Sequence, residues 1–242
     1  MKSLIIANWK CNPLTLQETK RLFNSVKRGI KNIKNAEVVI CPPFVYLPNI
    51  QHLKSNIQLG AQDCFWEEKG AFTGEISPKM LKNLGCQYII TGHSERRKYL
   101  KETDEIINKK IKAVLKEKLK PILCIGETEK ERNAGITFEI LKNQVKKALI
   151  NSSTHQLINL IIAYEPVWAI GTGKACNPRE AKEVLLFLRK MFKKIPILYG
   201  GSLDSKNATD YIKEAGFNGL LVGGASLDSK EFAKIIKSSS FT

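Results

Sequence analysis

Residues 160–168 read LIIAYEPVW, in which an apolar run is followed directly by the carboxylate Glu165. The apolar part does not alternate with polar residues, so a strand formed by it must be covered on both faces. Residues 4–7 (LIIA) and 38–41 (VVIC) have the same character. Such runs are typical of strands in a parallel sheet that is packed against helices. The stretch therefore predicts a buried parallel strand with Glu165 at its carboxyl end.

Short apolar runs of this kind alternate with longer amphipathic segments along the chain. We predict eight strands, at residues 4–9, 37–41, 57–61, 87–91, 121–126, 160–164, 196–199 and 219–222. The segments between them carry apolar residues at three- and four-residue spacing, which indicates helices. The longer helices are predicted at residues 15–34, 104–118, 129–150, 179–193, 206–215 and 230–237. The helices after strands two, three and eight are expected to be short.

Local signals mark several helix ends. Asn177-Pro178 and Ser77-Pro78 each supply an N-cap followed by a proline at the first helical position, and Gly85 and Gly216 are placed to close helices. No linker, low-complexity tract or change of composition divides the chain. Eight strand–helix units favour an α/β fold of the closed (β/α)8 barrel type, with eight parallel strands, over a doubly wound sheet. We predict a single domain over residues 1–242.

The composition indicates a globular protein, because 242 residues that are 43% apolar can bury a substantial core. The first ten residues, MKSLIIANWK, lack the apolar h-region of a signal peptide, and no stretch approaches the roughly 18 apolar residues of a membrane span. The six cysteines include no CxxC pair and no histidine at zinc-ligand spacing. We therefore expect a soluble, cytoplasmic protein with reduced thiols and no metal site.

The formal net charge of +16 is typical of proteins that bind nucleic acids or membrane surfaces. Most of the 39 basic residues are lysines that are spread over nearly every predicted helix. Solvated helix faces explain this distribution better than one basic patch does. Nucleic-acid and membrane partners are therefore not expected.

Polar residues stand directly after several predicted strands, where a barrel of this type carries its active site. Lys10 follows the first strand, His93 the fourth and Glu165 the sixth. Taken singly, each has an ordinary explanation. Lys10 and Glu165 could be ion-pair partners near a barrel rim, and His93 could be a buried histidine that is hydrogen-bonded in the core. Together, a base, a cation and an imidazole are the set needed to remove a proton next to a carbonyl and stabilise the resulting enediolate.

His93 immediately precedes residues 94–97 (SERR), which resemble a helix start. The positive end of a helix dipole opposes protonation of a nearby imidazole. We therefore expect a neutral His93 that donates a hydrogen bond.

Glycine pairs after the last two strands, at 200–201 and 223–224, predict a phosphate site, because bare backbone N–H groups can approach an anion there. The segment Gly171-Thr172-Gly173 is only part of a dinucleotide-binding fingerprint, so no nucleotide cofactor is expected. Residues 166–176, hereafter the lid, are apolar, rich in glycine and long for such a connection. They are suited to closing over a substrate and excluding water.

At this point the chain resembles the triosephosphate isomerase family, whose barrel gives the TIM barrel its name. The matching blocks run in the family's order: residues 8–10 (NWK), 70–75 (GAFTGE), 92–97 (GHSERR), 124–127 (CIGE), 163–173 (AYEPVWAIGTG), 199–202 (YGGS) and 221–226 (LVGGAS). The resemblance implies an enzyme without cofactor or metal that interconverts dihydroxyacetone phosphate and glyceraldehyde 3-phosphate in glycolysis and gluconeogenesis.

The resemblance also implies a role for each site residue. Glu165 would move the proton between C1 and C2, while His93 and Lys10 would polarise the carbonyl and stabilise the enediolate. Asn8 would hold substrate oxygens and Glu95 would pair with Lys10. The backbone would bind phosphate at Gly171, Ser202, Gly223 and Gly224, and lid closure would keep the enediolate from losing its phosphate.

The family is usually dimeric, and residues 62–75 resemble its interface loop, which implies that Thr73 reaches toward the partner's active site and that Glu75 lies at the loop's end. We therefore expect a homodimer. Residues 65–68 (FWEE) are an atypical start to that loop, Cys11 stands where methionine is common, and Cys176 stands where a small apolar residue is usual.

Two other readings remain open. One is another cofactor-free barrel isomerase of phosphorylated sugars, which explains the glycine pairs but not the set of Asn8, Lys10, His93 and Glu165. The other is a catalytically silent, basic barrel that binds nucleic acid. Salt-dependent binding of a polyanion would distinguish the latter, although no RNP, KH or helix-turn-helix signature supports it.

Overall fold

The structure, a computed structural model, describes residues 2–53, 56–153 and 156–240. Within these residues eight parallel strands pair in sequence order, and the last pairs with the first, so the sheet closes into a barrel. The strands are β1 (Ser3–Asn8), β2 (Ala36–Cys41), β3 (Ile57–Ala61), β4 (Cys86–Thr91), β5 (Lys120–Ile125), β6 (Ile161–Tyr164), β7 (Ile197–Tyr199) and β8 (Gly219–Val222). The predicted (β/α)8 barrel is confirmed.

The strands lack polar alternation because both of their faces are buried. In β1, Leu4 and Ile6 belong to the cluster that fills the barrel, together with Val39 and Cys124. Ile5, between them, belongs to the larger cluster between barrel and helices. Apolar residues are therefore favoured at successive positions in the middle of the strand, and burial in two layers stabilises the closed sheet.

Helices surround the barrel on its outer face. They are α1 (Leu16–Gly29), α2 (Leu47–Ile50), α3 (Pro78–Asn83), α4 (Ser94–Leu100), α5 (Asp104–Lys116), α6 (Glu129–Asn133), α7 (Thr137–Ala148), α8 (Pro178–Met191), α9 (Ala208–Asp210) and α10 (Ser229–Ser239). The predicted caps are present: Asn177 and Ser77 are N-caps, each followed by its proline. Among the helices of the described ranges, none is long and apolar enough to cross a bilayer.

The helix predicted over 15–34 ends at Gly29, and the helix after β8, expected to be short, is the 11-residue α10. Two other predicted helices are interrupted in the structure. The segment 129–150 forms two helices, α6 and α7, because Gly135 between them has φ of 72°. The segment 206–215 begins as the single turn α9 and continues as a π-helical turn over Tyr211–Ala215, closed by Gly216 with φ of 94°. Both segments keep apolar spacing across the break, so periodicity alone does not reveal it.

Candidate active site

The loops at the carboxyl ends of the strands surround a cavity of about 350 Å³. Eight of the residues predicted for catalysis or phosphate binding line it: Asn8, Lys10, His93, Glu165, Gly171, Ser202, Gly223 and Gly224. Glu95 lies behind them, where its carboxylate pairs with the Lys10 ammonium group. The barrel thus brings together residues that are more than 200 positions apart in the chain.

Glu165 lies at the base of this cavity and is only 2% exposed. Its Oε2 accepts a hydrogen bond of 3.2 Å from the backbone N–H of Ser94, and its Oε1 lies 3.2 Å from Nε2 of His93. The backbone beside it is tightly packed, because a Cβ on Gly126 would lie 1.7 Å from the Glu165 carbonyl oxygen. The carboxylate is therefore fixed by its neighbours, with little contact with water.

His93 is itself the N-cap of α4, one residue before the helix start expected from the sequence. Its Nδ1 accepts a hydrogen bond of 3.2 Å from the backbone N–H of Glu95. A ring nitrogen that accepts a hydrogen bond carries no proton, so the proton of the neutral ring lies on Nε2. This geometry directs a neutral N–H donor toward Glu165 and the cavity.

Lys10 has a left-handed backbone with φ of 54°, which is costly for a residue with a side chain. Two side chains hold it there. Asn8 Oδ1 accepts from the Lys10 backbone N–H at 3.1 Å, and Gln62 Nε2 donates to the Lys10 carbonyl at 2.8 Å. Sequence reasoning misses the role of Gln62, although its position directly after β3 is the same signal that marks the other site residues.

Cys124 lies in the barrel interior beneath Glu165. Burial, and after it the neighbouring Glu165 carboxylate, raises the pKa of this thiol well above its usual value. The thiol therefore stays protonated beside the carboxylate. Its position in a strand read as an apolar run gave no signal for this contact.

The loops after the last two strands and the lid also line the cavity. Gly224 begins a short 3-10 turn after β8, and a Cβ there would meet no atom within 4 Å. Gly171 of the lid and Ser202 after β7 line the same cavity as Gly224. Ser202 Oγ also donates to the carbonyl of Ala169 at 2.5 Å, which ties the lid to the loop after β7.

The start of the lid is held by Glu127, whose side chain is fully buried. Its carboxylate accepts from Trp168 Nε1 at 2.9 Å and from the Tyr164 hydroxyl at 3.1 Å. Burial raises the pKa of Glu127, and these hydrogen bonds oppose that rise. The guanidinium of Arg132 covers the Trp168 ring at 4.3 Å.

Thr73 and Glu75 are not brought to the cavity. They lie on an exposed loop between β3 and α3, whose base is closed by a bond of 2.8 Å from the Phe65 N–H to the Ile76 carbonyl. Phe65 packs on Trp66 and Phe72, with ring centroids 4.1 and 4.8 Å apart.

Comparisons with known proteins agree with this geometry. A family model described as triosephosphate isomerase matches residues 3–239. The triosephosphate isomerases of Endomicrobium trichonymphae and Aquifex aeolicus are each 46% identical to the chain, over 98% of it and over 98% and 100% of their own lengths. That of Clostridium tetani is 44% identical over 97% of the chain and 96% of its own length. By fold, cavity and similarity, the chain belongs to the triosephosphate isomerase family.

Proposed function

We propose that Glu165, His93 and Lys10 carry out the interconversion of dihydroxyacetone phosphate and D-glyceraldehyde 3-phosphate, the aldose–ketose isomerisation of the family. The observation that carries this assignment is the pair of 3.2 Å contacts that place the Glu165 carboxylate beside the His93 N–H in the cavity. A base and a neutral donor at this spacing suit proton abstraction next to a carbonyl. The reaction belongs to glycolysis and gluconeogenesis.

The proton moves in two steps. The Glu165 carboxylate removes a proton from C1 of the ketose, and the electrons of that C–H bond form the C1–C2 double bond of an enediolate. His93 Nε2–H and the Lys10 ammonium group stabilise the charge on the oxygens, and Asn8 holds these oxygens in place. After the hydroxyl proton of O1 has passed to O2, Glu165 returns its proton to C2. The electrons of the C1–C2 double bond form the new C–H bond, and those left on O1 form the C1 carbonyl of the aldose. Glu95 is a positioning residue, because its carboxylate pairs with Lys10.

The phosphate of the substrate binds where the glycine-rich loops meet the cavity. Gly171, Ser202, Gly223 and Gly224 line the cavity, and backbone N–H groups of such loops suit an anion. Because Gly171 belongs to the lid, phosphate binding favours the covered cavity. Exclusion of water there strengthens the interactions of His93 and Lys10 with the enediolate, and the lid keeps the phosphate group from leaving.

The deciding experiment measures conversion of glyceraldehyde 3-phosphate by the purified protein without added metal or cofactor. Glu165→Asp moves the carboxylate back by one methylene, and a loss of about 10² in kcat is expected from a displacement of that size. Glu183→Asp, at an exposed position on α8, is the matched control and should be fully active. An inactive, folded wild-type protein would overturn the assignment, and salt-dependent binding of a polyanion would then be tested.

We infer that residues 1–242 form one catalytic domain that assembles as a homodimer. Large apolar side chains are exposed on the loops after the first three strands: Leu14 is 81% exposed, Val45 73% and Phe72 43%. Exposed apolar side chains that cluster at one end of a barrel favour an interface between copies. Thr73 and Glu75 lie on the same loop as Phe72.

Sedimentation equilibrium tests the dimer. Wild-type protein should sediment at twice the chain mass of 27.2 kDa. Thr73→Arg should shift the equilibrium toward the monomer, whereas Thr209→Arg, on α9, should not. A monomeric wild-type protein would exclude the dimer.

The cytoplasm is the compartment we infer for this protein. All six cysteines are free thiols. Thiols persist in a reducing compartment, whereas oxidising ones favour disulfides.

A further inference from the structure

The carboxyl end of the lid is held by two tyrosines. The backbone N–H of Cys176, the last lid residue, donates to the Tyr199 hydroxyl at 3.2 Å. The Tyr211 hydroxyl donates to the carbonyl of the same residue. Both backbone groups of Cys176 are therefore bound by phenols that belong to the barrel and its outer layer, not to the lid.

The two tyrosines form one rigid unit. Their rings are stacked, with centroids 3.7 Å apart and planes 7° from parallel, and both side chains are fully buried. Phe217 packs edge-on against Tyr199 at 5.6 Å. Burial raises the pKa of both phenols, so each keeps its proton and Tyr211 remains a donor.

Tyr211 lies at an unusual place in the backbone. It begins the π-helical turn Tyr211–Ala215, directly after α9. Such turns are rare and occur often at functional sites. A buried tyrosine hydroxyl needs a hydrogen-bond partner, and here that partner is the last carbonyl of the lid.

The position of Cys176 decides how the lid lies on the cavity. Asn177 caps α8 immediately after it, so the chain beyond is fixed. Three residues at the lid's other side, Ile170, Gly171 and Gly173, line the cavity. The orientation of the Cys176 peptide groups therefore sets the direction in which the lid leaves α8.

We propose that Tyr211 is a positioning residue of the reaction, which holds the Cys176 carbonyl so that the lid covers bound substrate. The inference rests on the proposed function, because the lid matters only if the cavity takes a phosphorylated substrate. Tyr211 acts through the backbone of the lid and does not contact the reacting atoms.

The test compares Tyr211→Phe with wild type on two substrates. The variant keeps the ring stack and removes only the hydroxyl. With glyceraldehyde 3-phosphate, kcat/KM should fall by about three- to tenfold, the range expected for one lost hydrogen bond. With D-glyceraldehyde, which has no phosphate to hold the lid, kcat/KM should be unchanged. Affinity for 2-phosphoglycolate, whose carboxylate resembles the enediolate, should fall by the same factor as kcat/KM for the phosphorylated substrate.

Two control variants separate this role from general destabilisation. Tyr88→Phe removes a buried hydroxyl that binds Glu37 near the start of β4 and should leave the kinetics on both substrates unchanged. Cys86→Ala, at a buried position near the start of β4 and outside the lid and the cavity lining, should also behave as wild type. Equal losses on both substrates in Tyr211→Phe, or no loss on either, would overturn the proposal. An inactive wild type would instead overturn the proposed function.

Discussion

Nε2 of His93 lies 3.2 Å from Oε1 of Glu165, within hydrogen-bonding distance. Because Nδ1 of the ring accepts from the Glu95 N–H, the proton in this contact belongs to His93. The donor is therefore occupied by the carboxylate that we propose as the base. In the proposed mechanism, a substrate carbonyl that takes the N–H frees this carboxylate to move toward the carbon acid, so we expect binding of the carbonyl and release of the base to be coupled.

Replacement of His93 tests the value of this donor. His93→Leu removes it, and we expect kcat to fall by about 10²- to 10³-fold, as for loss of one donor to a developing oxyanion. His93→Gln keeps an uncharged N–H donor and should lose less. Steady-state kinetics on both substrates measure the difference. A Leu variant that kept most of its activity would contradict the assignment.

Gln62 tests whether the strained backbone of Lys10 matters. Gln62→Leu removes the donor to the Lys10 carbonyl, so the residue with φ of 54° loses one of its two side-chain restraints. We expect the ammonium group to be misplaced and kcat to fall by about tenfold or more, since small displacements of a catalytic group are costly.

The matched control for Gln62 is Gln58→Leu on the same strand. Gln58 bonds with the exposed side chain of Gln87, far from the cavity. This variant should keep wild-type kinetics. Equal kinetics for the two variants would show that the restraint on Lys10 has no catalytic value.

The sequence predicts the barrel and most of the site for one physical reason. Strands buried on both faces read as unbroken apolar runs, and a charged residue such as Glu165 directly after such a run is conspicuous. What it does not predict depends on contacts through space. The bond from Gln62 to Lys10, the thiol of Cys124 beneath Glu165 and the bond from Tyr211 to Cys176 join distant parts of the chain. Their residue types are ordinary for the positions they occupy.

The six thiols should differ sharply in reactivity. Burial raises the pKa of Cys86 and of Cys176 to about 12, and the pKa values of Cys41, Cys64 and Cys124 are also raised by burial. Only Cys11 is exposed in the protomer. Because the thiolate is the reactive form, raising the pH from about 7 to 9 should leave the five buried thiols unmodified in the folded protein.

Iodoacetamide labelling followed by mass spectrometry checks this expectation. We expect at most one label per chain, lost in Cys11→Ser, and all six cysteines labelled after denaturation. Rapid labelling of Cys124 or Cys176 in folded protein would contradict the buried positions assigned to them.

Gly224→Ala tests the phosphate end of the cavity. A Cβ at this position meets no atom within 4 Å, and its backbone is not in the left-handed region, so the variant should fold with wild-type stability. The added methyl group projects into the space proposed for the phosphate, so it hinders the approach of the phosphate to the backbone N–H. We expect KM for glyceraldehyde 3-phosphate to rise about tenfold, equivalent to about 1.4 kcal/mol of binding.

Thermal melts establish that the fold is intact, and D-glyceraldehyde, which lacks the phosphate, should be turned over at the wild-type rate. If both substrates were affected equally, the methyl group would be disturbing the reacting end, and the phosphate would have to bind elsewhere in the cavity.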